Sequence, residues 1–188
     1  DYSKLAGISN FDNFEQGPLA AAKKRLPWLV MLLFLGMLTA SLMAQFEDTL
    51  DAVAILAIFI PLISGTSGNS GTQALAVAIR GLATKDASND ESKMRLLLRE
   101  LSTGAIMGLL CALVVTGIVY FWKGELIIGM LVGVAMCCSI IVATLAGSLI
   151  PLMMDRIGVD PAVASGPFIT TLNDITSILI YLGLATAF

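Results

Sequence analysis

Apolar runs recur along the chain, separated by short polar stretches, and each reaches the roughly 20 residues needed to cross a hydrocarbon core as a helix. Five can be placed: about Pro27 to Phe46, Ala52 to Thr84, Leu101 to Trp122, Leu126 to Met154, and Ala162 to Ala187. Trp28 and Trp122 fall at run ends, where amphipathic rings favour the headgroup layer. The expected fold class is an all-α integral membrane protein, a five-helix transmembrane bundle occupying residues 26–188. Residues 1–25 read as a cytosolic N-terminal segment, in which Pro18 opens a short helix ending in the basic cluster Lys23-Lys24-Arg25. The polar loop "TKDASNDESKMRLLLRE" turns amphipathic toward Glu100, so the third helix is expected to start before it enters the membrane.

The second run is too long. About 33 residues would make a straight helix of about 50 Å, against a core of ~30 Å. It must tilt, protrude or break, and its middle, "PLISGTSGNSGTQ", carries Pro61, Gly65, Gly68 and Gly71. These glycines suit either close helix packing or an opened backbone lining a water-filled path. Asn69 and Gln73 lie four residues apart on one face and need partners or water, which favours a cavity-lining role. A phosphate-cradling loop is excluded, because no Lys follows and no strand precedes.

Composition adds the following. Hydrophobic residues make up 57% of the chain and charged residues 13%, with a net charge of −3. The absence of histidine removes imidazole metal sites and general bases. Cys111, Cys137 and Cys138 lie in apolar runs without metal-ligand spacing and read as buried, inert thiols. With the N-terminus cytoplasmic, every Lys and Arg except Lys123 falls on the inner side, so the positive-inside rule places the N-terminus inside and the C-terminus outside. The chain begins at Asp1, with no signal peptide, and is expected to be a piece of something longer.

Candidate chemistry centres on Asp174, about 12 residues from either end of the fifth run. An aspartate at bilayer mid-depth costs about 2.5–3.5 kcal/mol on insertion scales, so it belongs on a water-filled path or in the protein interior. Helical spacing puts Pro167, Thr170, Thr171, Asp174, Ser177 and Tyr181 on one side, with Asn173 beside them. Hydroxyls alone commonly mark helix–helix contacts, and a protonated aspartate serving packing is the competing structural reading.

Hard oxygen donors and an intramembrane carboxylate suit a hard cation. Magnesium sheds its waters reluctantly, so a pore would bind the hydrated ion. One carboxylate per chain is thin for a divalent charge, whereas a homodimer with its pore on the two-fold axis supplies two. An intramembrane aspartyl hydrolase would need a second carboxylate at similar depth, which one chain lacks and only a dimer could supply. A proton- or sodium-coupled divalent cation carrier and a non-conducting assembly subunit remain as alternatives. No cofactor and no nucleic-acid partner is expected.

Two long motifs, "PLISGTSGNSGTQALAVAIRGLA" and "DPAVASGPFITTLNDITSILIYLGLA", with "KKRLPWL" and "LLLRELSTG", resemble the MgtE family of magnesium channels over almost the whole chain. The resemblance implies a homodimer in a prokaryotic inner membrane, whose second and fifth helices carry hydrated Mg2+ inward. It implies Asp174 as the central selectivity residue, with Asn69 (of the Gly68-Asn69 pair) and Thr170 as secondary pore contributors and Glu100 as a further acidic position at the cytoplasmic entrance. The candidate cation-site residues are thus Asp174, Asn69, Thr170, Asn173, Gly68, Gly65 and Glu100. Leu19 to Arg25 look like the end of the family's connecting helix. The cytosolic magnesium-sensing domains of many members are not in this sequence, which puts regulation through them in doubt.

Overall fold

A computed structural model describes residues 17–52, 54–84, 89–161, 164 and 166–187, and the first sixteen residues lie outside it. Among the described residues six helices run in order: α1 Pro18–Ala44, α2 Glu47–Ala52, α3 Leu56–Ala83, α4 Asp90–Lys123, α5 Leu126–Arg156 and α6 Gly166–Ala187. No strand occurs among the described residues. Four helices, α1, α4, α5 and α6, are long and apolar enough to cross a membrane. With the comparisons reported below, they make this a membrane protein. Helix α3 has the length, at 28 residues, but its polar middle keeps it from that apolar class.

Two expectations about helix ends need correction. Pro18 does open a helix, at its first position, but that helix does not stop at the basic cluster. It continues through Pro27 to Ala44. An internal proline removes one backbone bond, and the Leu- and Met-rich run beyond it still favours helix over any alternative. Of the tilt, protrusion or break left open for the second run, a break at its polar middle does not occur, since α3 is continuous through Pro61, Gly65, Gly68 and Gly71. Where water is scarce, an opened turn would strand carbonyls, and packing against α5 and α6 offsets the ~1 kcal/mol that each glycine costs in a helix.

Helix α4 starts well before its apolar portion, as expected. The Asn89 side chain caps it, accepting from Ser92 N–H at 2.8 Å, and Asp90 and Glu91 sit in its first turn, complementing the helix dipole. Gly124 ends it in the left-handed region, at φ 74°, with its N–H bonded to Tyr120 O at 2.8 Å. Only Gly124 and Glu125 separate α4 from α5, so the pair folds back as an antiparallel hairpin. The far end of the hairpin is tied by Lys93 Nζ to Asp155 Oδ2 at 2.7 Å.

Helix α5 is the hub, packing against α4, α3 and α6. Small residues make these approaches possible. A Cβ on Gly108 would lie 2.9 Å from Cys137 O, and one on Gly129 2.9 Å from Thr116 O. The Thr116 hydroxyl donates to Gly129 O at 3.0 Å across the same seam. At the α3–α5 crossing, Gly147 lies directly against the Gly71 carbonyl, backbone to backbone. The main core gathers Phe59, Ile63, Val119, Val132, Ile140 and Leu182 from four helices. Helix α1 buries nothing in its apolar stretch and touches chiefly α6. The cysteines are free, but Cys138 is exposed rather than buried, on the outer side of α5.

Candidate functional site

Helix α3 crosses the bundle with its small residues turned toward α5 and α6. Ser67 and Ser177 hydroxyls meet at 2.6 Å, fully buried, and a Cβ on Gly68 would touch Thr170 Cγ2 at 3.5 Å. Toward α5, the Ser70 and Thr144 hydroxyls lie 3.3 Å apart. Toward the end of α6, Tyr181 Oη donates to Leu56 O at 3.0 Å. The contact between α3 and α6 is therefore a column of paired polar groups among small side chains.

One member of that column has no pair. Asn173 is fully buried, against Gly71 of α3 and near Ala143 of α5, and neither amide atom has a hydrogen-bond partner among the described residues. The neighbouring Asp174 is half-buried, and its carboxylate has no hydrogen-bond or ion-pair partner among the described residues. It lies in the first half of α6, about 12 Å along the axis from Gly166. Thr170 and Thr171 are also half-buried, and both hydroxyls donate to Pro167 O at 2.9 Å. The stripe expected on one side of this helix thus divides. Asn173, Ser177 and Tyr181 turn inward to α3, while Thr170, Thr171 and Asp174 flank that contact.

The other face of α3 is open. Gly65, Asn69 and Gln73 are exposed, and a Cβ on Gly65 would meet nothing within 4 Å. A cavity of about 220 Å³ lies between α3 and α4, lined by Thr66, Asn69, Ser70 and Gln73 and by Met107 and Cys111. So the structure brings Gly68 to Thr170 and Asn173 to Gly71, while Asn69 and Gly65 occupy the exposed arc away from the α6 contact. Glu100 is separate from all of these. It is 5% exposed on α4, one turn before Gly104, which packs against Thr144 of α5. No group of three or more His, Cys, Asp or Glu that could hold a bare metal occurs among the described residues.

The family model for MgtE, a divalent cation transporter, matches residues 60–184, from near the start of α3 to almost the end of α6. The chain belongs to the MgtE family. The magnesium transporter MgtE of Enterococcus faecalis is 54% identical over 188 residues, all of this chain and 41% of that protein. That of Bacillus subtilis is 44% identical over 188 residues, again all of this chain and 42% of the relative. That of Thermus thermophilus is 40% identical over 171 residues, 91% of this chain and 38% of the relative. The chain thus spans about two-fifths of the length of these MgtE relatives.

Sequence reasoning missed the features that hold this MgtE site together. The Gly71–Gly147 backbone contact and the Ser67–Ser177 pair join residues far apart in the chain. The signal for the first was available as small residues at four-residue steps in α5, Ser139, Ala143 and Gly147.

Proposed function

We propose that this chain is the membrane part of a magnesium transporter, conducting hydrated Mg2+ through a path lined by α3 and α6. The observation that carries the proposal is the half-buried Asp174 carboxylate, without a partner among the described residues, within an apolar helix. On the arc of α3 away from α6, Gly65, Asn69 and Gln73 are exposed in mid-helix, a surface ill-suited to lipid. That surface favours α3 as a fifth span and a second copy of the chain opposite it, with the path on the two-fold axis.

In this reading the paired Asp174 carboxylates offset the ion's charge and accept hydrogen bonds from its water shell. Asn69 offers amide oxygen to the same shell, Gly65 leaves the path wide beside it, and Gly68 and Thr170 pack together behind it. Asn173, now fully buried, would reach the ion only if α6 turned. Glu100 supplies negative charge near the inner mouth. The N-terminus is cytoplasmic, the C-terminus outside and the membrane a prokaryotic inner membrane, with Mg2+ moving inward. The names of the relatives, magnesium transporters, support the choice of ion.

The test is Mg2+ uptake into proteoliposomes holding the purified protein. Wild type is expected to pass Mg2+, with currents reversing at the magnesium equilibrium potential whatever the proton or sodium gradient. Asp174→Asn, which keeps size and removes charge, is expected to lose divalent selectivity while remaining folded. Wild-type Mg2+ flux in that variant would overturn the assigned role of the carboxylate, and a reversal potential that follows pH or sodium would replace the channel with a coupled carrier.

A further inference from the structure

The amino-terminal end of α4 presents a basic recess that the ion path does not use. It has a volume of about 190 Å³ and is lined by Ser92, Arg95, Leu96 and Arg99, successive positions of one helix face at steps of three and four. Arg99 is exposed and its guanidinium makes no hydrogen bond or ion pair among the described residues, the buried Glu100 carboxylate being its electrostatic neighbour. Arg95 is bonded to Glu91 at 3.2 Å, but both side chains are about four-fifths exposed, so this pair is weak and easily displaced. The nearby Lys93 and Asp155 already neutralise each other. Two guanidiniums one turn apart therefore face solvent, with the Ser92 hydroxyl one turn before the first.

What lies further along the same face selects the ligand. Ser102 and Thr103 follow, with their hydroxyls donating to Leu98 O and Arg99 O, so they present little free polarity outward. Next come Ile106, Leu109, Leu110 and Leu113, all more than half exposed. One leaflet is about 15 Å of hydrocarbon, half of the ~30 Å core, or about ten residues of helix. Counted from Arg99, that depth ends near Leu109 and Leu110. The recess thus sits at headgroup level directly above a strip of acyl-chain length.

We propose that Ser92, Arg95 and Arg99 bind the phosphodiester headgroup of an anionic phospholipid whose tail lies along Ile106 and Leu110. Guanidiniums hold phosphate oxygens through paired N–H donors, and the serine hydroxyl adds one more. The apolar strip continuous with the recess distinguishes a lipid from a soluble phosphate, which would gain nothing from it.

The experiment places the purified protein in phosphatidylcholine nanodiscs doped with phosphatidylglycerol and counts retained lipids by native mass spectrometry, with competition by soluble glycerol phosphate. Wild type is expected to retain phosphatidylglycerol in preference to phosphatidylcholine. Arg95→Gln/Arg99→Gln is expected to lower that preference by roughly tenfold to thirtyfold, taking about 1 kcal/mol for each charge near an anionic surface. Arg156→Gln, an exposed arginine outside the recess, is expected to leave it unchanged, and Arg95→Lys/Arg99→Lys to restore only part. Three results would each overturn the assignment: equal retention in the double Gln variant, equal loss in Arg156→Gln, or displacement by glycerol phosphate at concentrations comparable to the lipid. Helicity by circular dichroism shows whether each variant is folded, and surface arginines are not needed for that.

Discussion

The Asn173 carboxamide occupies the volume in which a β-carbon on Gly71 would stand. The same β-carbon would lie 3.1 Å from Ala143 O and 3.2 Å from Ile169 Cγ2, so α3, α5 and α6 meet at this glycine. A residue with any side chain there must push two helices apart or turn the amide out.

Gly71→Ala is therefore expected to destabilise the protein by about 1–3 kcal/mol, the usual cost of overpacking. Gly65→Ala, with nothing within 4 Å of the added carbon, serves as the control and should gain about 0.5–1 kcal/mol from helix propensity alone. Thermal unfolding in detergent compares the two. Equal midpoints would mean that the three-helix junction relaxes at no cost.

Asn173→Leu removes two buried polar atoms that have no partner among the described residues, and keeps a similar shape. Burial of an unsatisfied amide costs about 1–3 kcal/mol, so the variant should be as stable as wild type or more so. A loss of stability would show that the amide is bonded in the membrane, to water or to an altered neighbour. Circular dichroism melts decide between these outcomes.

Ser67 and Ser177 should be energetically coupled. Each single change to Ala leaves the other hydroxyl buried, and the double change removes both at once. A double-mutant cycle is expected to give a coupling of about 0.5–1.5 kcal/mol. Additive effects would mean that the 2.6 Å pair contributes nothing to the α3–α6 contact.

Tyr181→Phe deletes the hydrogen bond to Leu56 O but keeps the ring in the core. The expected loss is about 1 kcal/mol, against about 3–5 kcal/mol for Tyr181→Ala, where the cavity dominates. Similar values for the two variants would assign the whole contribution to packing.

Asp155→Asn breaks the bond to Lys93 where the side chains are 19% and 39% exposed. It should cost at most about 1 kcal/mol, and less in high salt. A larger, salt-insensitive loss would show that the α4–α5 hairpin depends on its open end being tied.

Much of this fold was legible because membrane helices announce themselves by length and hydropathy. The fourth and fifth runs lie within a few residues of α5 and α6, and the third is the apolar portion of α4, which starts earlier, at Asp90. Asp174 was legible for the same reason, a carboxylate in an apolar run. What the chain concealed is pairing. Proline and glycine in "PLISGTSGNSGTQ" are equally compatible with a broken helix and a closely packed one, and only the opposing Gly147 decides between them. Helical periodicity put Asp174, Ser177 and Tyr181 on one stripe but left the inward direction open. One residue is about 100° of turn, so the bundle buries Asn173 and leaves its neighbour at the edge.

The near isolation of α1 has a mechanical meaning. Helices α3 and α5 are pinned backbone to backbone, and α4 is folded onto α5 by a two-residue turn, so these three form a stiff frame. Helix α1 leans chiefly on α6, and α6 carries Asp174. A pull or push on α1 is therefore delivered first to the helix bearing that acid, as through a lever whose fulcrum is the frame.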